Sequence, residues 1–154
     1  MRTKKIDYYM MLVKVVASRS TCKRRSVGAI IVKNSVVLST GYNGAPSGIT
    51  HCIDTYCIRD RKRIRSGTRH EICKAVHAEQ NAIIHAAKNG IAIEGGIMFT
   101  NTFPCCICAK MIVNAGIKTI VYDQDYPDEL SLEILNEAKI QLVKYGDQDE
   151  TLKI

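Results

Sequence analysis

The sequence predicts a three-layer α/β domain that encloses its own hydrophobic core. Its 154 residues are enough for one such core, and 46% of them are hydrophobic. From residue 77 onwards, helical and β-branched segments alternate, an order that is typical of parallel strands joined by helices. We therefore expect one domain over residues 1–154, with parallel strands in its second half.

The first half of the chain predicts a helix, a hairpin and an irregular insert. Apolar residues recur at helical spacing over residues 5–19. Two β-branched runs follow at 27–33 and 35–43, with a short turn around Asn34 between them. Residues 51–76 show no sustained period, so we expect an insert that is irregular or only partly helical.

The second half of the chain has a more regular pattern. Each helical segment ends at a glycine or is followed by a β-branched run, which marks the boundaries between elements. The predicted elements are a helix at 77–90, a strand at 96–102, a helix at 104–116, a strand at 117–123, a helix at 127–138 and a strand at 139–145.

Seven cysteines and the lack of a long apolar run indicate the cellular context. No run approaches the roughly 20 residues of a membrane span, and the N-terminal residues lack a signal-peptide core. We expect a cytoplasmic protein without a membrane partner. Because that compartment keeps thiols reduced, clustered cysteines indicate metal binding rather than disulfides.

The whole chain has a net charge of +7, and its basic residues are concentrated in one part of it. They are densest at 22–26 and 59–69, whereas residues 123–150 are mainly acidic. Clustered lysine and arginine attract phosphate, either on a nucleotide or on a nucleic acid. Each basic run is equally compatible with a solvated loop.

Two predicted helices begin with residues that can bind a metal ion. His77 and Glu79 fall in the first turn of one helix, and Cys105 and Cys108 open the next, after Pro104. A helix N-terminus favours the thiolate, and two cysteines at this spacing can chelate one ion together with His77. Three protein ligands leave the fourth zinc position open, as in catalytic zinc sites.

Glu79 is the predicted proton carrier of this site. Zinc lowers the pKa of a bound water from about 16 to about 7, and a nearby carboxylate that is not a ligand can act as the general base. The segments HAE and PCCIC, at 77–79 and 104–108, resemble the H-x-E and P-C-x-x-C signature of zinc nucleobase deaminases.

Three longer segments carry a closer resemblance. They are VGAIIVKNSVVLSTGYNGAPSG, HAEQNAI and FTNTFPCCICAKMIVNAGIKTIVY. They resemble the deoxycytidylate (dCMP) deaminase family, which includes late-competence proteins of bacteria. The resemblance implies a cytidine-deaminase-like α/β/α fold with a five-stranded mixed sheet. It also implies hydrolysis of dCMP to dUMP and ammonia, which supplies the precursor of thymidylate, with Glu79 carrying a proton to N3 and then to the departing amine.

The resemblance also implies residues that bind the substrate and its regulators. Arg24, Asn43, the Ala78 backbone and Tyr126 would face the nucleotide. Many members are hexamers activated by dCTP and inhibited by dTTP, and Mg²⁺ would accompany a triphosphate effector. The effector would bind beside Gly41, Tyr42, Asn43 and Gly44. The same GYNG segment is equally consistent with a plain turn, because Asn-Gly favours positive φ angles.

Four further cysteines predict a second, structural zinc. Some members of the resembled family carry one, and Cys22, Cys52 and Cys73 match the positions of its ligands. The fourth ligand is left open among Cys57, His51 and His70. A closed zinc site would also hold the irregular insert in place. Ordinary buried thiols are the alternative, since free cysteine is common in protein cores.

Two other functions compete with deamination of dCMP. A deaminase of tRNA or single-stranded DNA would share the zinc signature and would use the basic surface to bind phosphates. Two Phe and no Trp argue against a nucleic-acid partner, because unpaired bases stack on aromatic side chains. The second rival is a noncatalytic scaffold that zinc stabilises. Glu79 argues against it, because a structural zinc site does not need a carboxylate that is not a ligand.

Overall fold

A computed structural model of the chain describes residues 1–126, 128–147 and 154. Residues 127 and 148–153, which belong to the predicted domain, lie outside the described residues. The helices are α1 (Lys5–Ala17), α2 (Ile58–Arg61), α3 (Ala78–Lys88), α4 (Cys106–Asn114) and α5 (Glu129–Glu137). The strands are β1 (Gly28–Lys33), β2 (Val36–Tyr42), β3 (Ile97–Thr102), β4 (Thr119–Gln124) and β5 (Gln141–Lys144).

The five strands form one mixed sheet with the order β2-β1-β3-β4-β5. Strand β1 is antiparallel to both of its neighbours, whereas β3, β4 and β5 run parallel. This sheet confirms the predicted α/β fold with five strands and with parallel pairing in the second half. Among the described residues, no helix has the length and apolar character that a membrane crossing requires.

Helices cover both faces of the sheet. Side chains alternate along each strand, so neighbouring residues face opposite layers. Ile30 and Phe99 pack with α1 on one face, whereas Ile31 and Met98 pack with α3, α4 and α5 on the other. All four residues are fully buried, which explains why these strands read as continuous apolar runs.

The predicted hairpin and the predicted insert are both present. The hairpin between β1 and β2 turns at Asn34 and Ser35, which both have positive φ, as a two-residue type I′ turn requires. The insert contains only short elements: 3-10 turns at Cys52–Asp54 and His70–Ile72, with the one-turn helix α2 between them. It is therefore irregular, as its sequence predicts.

Gly41 allows β2 to approach α3 closely. A Cβ at this position would lie 2.3 Å from both the Ala78 oxygen and the Ala82 nitrogen. The φ angle of Gly41 is not positive, so space rather than backbone conformation requires a glycine here. This contact holds the first turn of α3, which carries Glu79, against the sheet.

We expect Gly41→Ala to lower the free energy of unfolding by about 1–3 kcal/mol, the usual cost of overpacking a core. The added methyl group must displace the backbone of α3. Urea unfolding followed by circular dichroism measures the change. The matched control is Thr40→Ala, at the exposed neighbouring position, with an expected change within about 0.5 kcal/mol. Equal losses of stability in the two variants would contradict this role of Gly41.

Candidate active site

The N-terminal ends of α3 and α4 meet beside the carboxyl end of β3. His77 is the N-cap residue of α3, and Cys105 is the N-cap residue of α4. Strand β3 ends at Thr102, only a few residues before α4 begins. In α/β sheets the carboxyl ends of the parallel strands are the usual place for a functional site.

A side-chain cap and a row of alanines position the start of α3. Gln80 Oε1 accepts a hydrogen bond from the His77 backbone N–H at 2.8 Å, which satisfies a donor outside the helix ladder. Ala78, Ala82 and Ala86 form the buried face of the helix. Their small side chains let the helix lie close to the sheet, and His77 is therefore held at a fixed place.

The start of α4 is held by α5. Asp128 Oδ2 accepts a hydrogen bond from the Cys106 backbone N–H at 2.8 Å, and the Ser131 hydroxyl donates to the Pro104 oxygen at 2.7 Å. Pro104 precedes the N-cap residue Cys105, so the helix predicted over 104–116 begins at Cys106. The two bonds to α5 fix the backbone on either side of Cys105.

Three metal-binding atoms converge at these helix ends. His77 Nδ1 lies 3.4 Å from Cys105 Sγ and 3.4 Å from Cys108 Sγ. All three atoms lie within 4.8 Å of one another, and no other group of described residues meets that criterion. The ligands of a tetrahedral zinc ion are separated by about 3.6 Å at ordinary bond lengths. The three side chains therefore have the donor types and the spacing that suit zinc.

A hydrogen bond between the two thiols of this group shifts their pKa values in opposite directions. A hydrogen bond from Cys108, together with the neighbouring His77, lowers the pKa of Cys105 to about 4 in spite of burial, which raises it. The same hydrogen bond raises the pKa of Cys108 far above its ordinary value. A cation that binds between the sulfurs would displace the remaining proton.

Glu79 lies beside the three donor atoms without belonging to the group. Its side chain is only 4% exposed, and its Oε2 is 3.6 Å from Cys108 Sγ. Burial raises the pKa of this carboxyl group. A buried carboxyl next to an incomplete set of metal ligands can exchange protons with whatever occupies the remaining position.

A cleft opens onto this group. It is lined by His77, Glu79 and Cys105 together with all four predicted substrate residues. Those four are Arg24, Asn43, Ala78 and Tyr126. The fold thus brings the predicted substrate residues and the metal donors to one cavity.

Asn43 shapes the cleft through its amide group. Its Oδ1 accepts a hydrogen bond from Val27 N, and its Nδ2 donates to Arg25 O, both at 2.9 Å. Neither Asn43 nor Gly44 has a positive φ, so the interpretation of GYNG as a plain Asn-Gly turn is wrong. The side chain instead ties the segment after β2 to the segment before β1.

Tyr126 connects two sides of the cleft. The Arg25 guanidinium lies 5.1 Å from the centre of its ring, and its hydroxyl oxygen lies 3.3 Å from His70 Nε2. Arg24 is directed toward the insert, where its Nε lies 3.4 Å from Asp60 Oδ1.

The cysteines of the predicted second zinc site line the same cleft. They are Cys22, Cys52, Cys57 and Cys73. Burial raises the pKa of Cys52, and the other three thiols raise it further because they lie nearby. Their sulfurs are less tightly grouped than the donors around His77. Of the two alternative ligands, His51 is exposed, and the His70 ring lies 5.4 Å from the His77 ring.

Sequence reasoning missed Arg59 as a residue of the cleft. It lies in the basic run at 59–69, and the structure buries it in the cleft wall. The basic run was the sequence signal available for this residue. Composition alone, however, does not identify which arginine of such a run is buried.

A His/Cys/Cys donor set beside a glutamate that is not a ligand is typical of zinc nucleobase deaminases. Residues 3–124 match the family described as the cytidine and deoxycytidylate deaminase zinc-binding region. The chain therefore belongs to this zinc-binding family.

Similar proteins include cellular and viral deaminases. The deoxycytidylate deaminase of Schizosaccharomyces pombe is 34% identical over 90% of this chain, and the ComE operon protein 2 of Bacillus subtilis is 34% identical over 95%. These matches cover 43% and 73% of the two relatives, so the chain spans less than half the length of the yeast protein. The crystal structure of dCMP deaminase from cyanophage S-TIM5 with dCMP and dUMP has a TM-score of 0.76 at 32% identity, covering 94% of this chain and 98% of that one.

We expect Cys108→Ala to reduce bound zinc by one equivalent per chain, because two remaining donors hold the ion too weakly. Atomic emission spectroscopy of the dialysed protein measures the metal content. Cys106→Ala is the matched control: it removes a neighbouring thiol that lies outside the donor group, and the zinc content should not change. A Cys108→Ala protein with full zinc content would contradict the donor assignment.

Proposed function

We propose that the protein deaminates dCMP hydrolytically to dUMP and ammonia. The observation that carries this proposal is the position of Glu79, a buried carboxyl 3.6 Å from a metal-binding sulfur at the wall of the cleft. A closed structural zinc site has no use for such a group. The relatives named deoxycytidylate deaminase, and the S-TIM5 enzyme seen with dCMP and dUMP, support dCMP as the substrate.

His77, Cys105 and Cys108 would hold the zinc ion, which supplies a water of lowered pKa. Glu79 accepts a proton from the attacking water and delivers it to N3 of the cytosine while the oxygen bonds to C4. Glu79 then takes the second proton from the hydroxyl group now on C4 and delivers it to the amino group, so that the C4–N bond breaks, ammonia leaves and the carbonyl of uracil forms. Because Glu79 is buried, bulk water does not compete for this proton.

The four predicted substrate residues would orient the nucleotide around Glu79. We propose that the Ala78 backbone holds the pyrimidine, that Arg24 faces the nucleotide, and that Tyr126 covers it. Asn43 uses both ends of its amide within the protein, so its contribution is to fix the wall against which the nucleotide rests.

Glu79→Gln should lower kcat for dCMP by at least about 100-fold, because general acid–base catalysis contributes about 10²–10⁴-fold and the amide cannot carry the proton. The zinc content should stay at the parent value. Ammonia release and metal analysis of the same sample give both quantities. Glu133→Gln, at an exposed position on α5, should behave as the parent protein. Undiminished turnover by Glu79→Gln would rule out this mechanism.

A substrate panel separates the proposal from its rivals. Ammonia release is measured with dCMP, dCTP, cytidine, single-stranded DNA and tRNA. We expect dCMP to react fastest. Reaction of a polynucleotide alone would favour a nucleic-acid deaminase, whose phosphate contacts the basic surface would supply. Absence of turnover with every substrate, in protein that contains zinc, would favour a noncatalytic scaffold.

We propose a second, structural zinc held by Cys22, Cys52, Cys57 and Cys73. All four line the cleft, and the other three thiols raise the pKa of Cys52 because they lie near it, which supports this proposal. The parent protein should then contain two zinc equivalents per chain, and Cys52→Ser should contain one and unfold at a lower temperature. Cys106→Ser is the control. A firm value of one zinc in the parent protein would exclude the second site.

The family resemblance further suggests regulation and assembly. We propose a cytoplasmic hexamer of this domain that supplies the thymidylate precursor, with dCTP as activator, dTTP as inhibitor and Mg²⁺ accompanying the triphosphate. An effector beside Gly41–Gly44 would act on α3, because Gly41 lies against the backbone of Ala78 and Ala82. Adding dCTP and dTTP to the dCMP assay tests this part of the proposal.

A further inference from the structure

Arg59 is a buried guanidinium group in the wall of the cleft. The residue is 8% exposed and lines the cavity together with His77, Glu79 and Tyr126. Buried charges in proteins are normally paired, because an isolated charge is costly to remove from water. Within the described part of the chain, none of the ion pairs includes Arg59. A positive charge thus lies at the cleft without a carboxylate to balance it.

Backbone hydrogen bonds hold this side chain in place. Arg59 Nη2 donates to the Arg65 oxygen at 3.1 Å and to the Thr68 oxygen at 2.7 Å. These bonds anchor the turn at 65–68 and fix the plane of the guanidinium group. Nε, in contrast, is buried and has no partner among the described residues. A planar guanidinium group that two hydrogen bonds hold in place, and whose Nε–H has no partner, is preorganised to bind an anion.

The surroundings favour an anion of more than one charge. Arg24 and Arg25 also line the cleft, and Glu79 is the single acidic residue among its lining residues. Arg24 is partly balanced by Asp60, and Arg25 lies over the Tyr126 ring, whereas Arg59 has neither kind of partner. A cytosine ring beside Glu79 is neutral. The phosphate of a nucleotide is the part of a substrate that would balance this charge.

The anchored turn limits the length of such a substrate. Gly67 of this turn lies beside Tyr126: a Cβ built at Gly67 would be 3.4 Å from the Tyr126 hydroxyl oxygen, an ordinary van der Waals distance. The turn and Tyr126 therefore meet across one side of the cleft, next to Arg59. A cleft bounded in this way suits a terminal phosphate better than a strand that continues in both directions.

We propose that Arg59 binds the phosphate of a mononucleotide through its free Nε–H and thereby makes the protein select dCMP over deoxycytidine. The proposal rests on the proposed deaminase function and adds to it the residue that recognises the phosphate. The remainder of the insert positions this arginine through the turn at 65–68.

The test compares Arg59→Met with Arg61→Met, an exposed arginine on the same short helix. Kinetics are measured with dCMP and with deoxycytidine, which lacks the phosphate. For Arg59→Met we expect kcat/KM for dCMP to fall by about 10- to 100-fold, mainly through KM, the usual effect of losing a charged hydrogen bond. The value for deoxycytidine should not change, and Arg61→Met should match the parent protein. Equal losses with both substrates would overturn the proposal.

Inorganic phosphate gives a second measurement that does not depend on turnover of deoxycytidine. It should inhibit the parent protein competitively against dCMP, and Arg59→Met should require about tenfold more phosphate for the same inhibition. Unchanged inhibition would also overturn the proposal. Circular dichroism and zinc content show whether the variant is folded.

A parent protein that deaminates neither dCMP nor deoxycytidine would refute the proposed function and not the role of Arg59. Calorimetric binding of dUMP to the parent protein and to Arg59→Met then decides the role of Arg59 without turnover. Weaker binding to the variant supports it, and equal binding refutes it.

Discussion

The close approach of the His77 imidazole to two cysteine sulfurs is the constraint on which the rest of the site depends. The three donor atoms come from two helices, and each helix is held by its own set of contacts. Gly41 lets β2 support α3, while Asp128 and Ser131 tie the start of α4 to α5. A shift of either helix end would change the separation of the donors, which at present suits zinc.

The residues around this centre divide the chemical work between them. Three donors would leave one zinc position free, and the buried Glu79 lies beside them, where the proposed mechanism uses it as the proton carrier. The cleft extends from there to a wall rich in arginine, which the insert supplies. In the proposed function, different residues of one cavity therefore serve reaction and recognition, and mutations can test the two separately.

The fold and the metal donors could be predicted from sequence because their signals are local. β-Branched runs mark the strands, and His77, Cys105 and Cys108 stand at the starts of helices whose periodicity is clear. The role of Gly41 could not be predicted, since it depends on a contact with a helix 37 or more residues further along the chain. Arg59 could not be separated from its basic neighbours, because its burial depends on hydrogen bonds to the backbone of a later turn.

The most direct measurement of the central claim is an anomalous difference map collected at the zinc absorption edge from crystals of the full chain. The account predicts a peak about 2.0–2.3 Å from His77 Nδ1, Cys105 Sγ and Cys108 Sγ, with no fourth protein side chain bound to it. A peak with four protein ligands at this place, or no peak between these three side chains, would contradict the account.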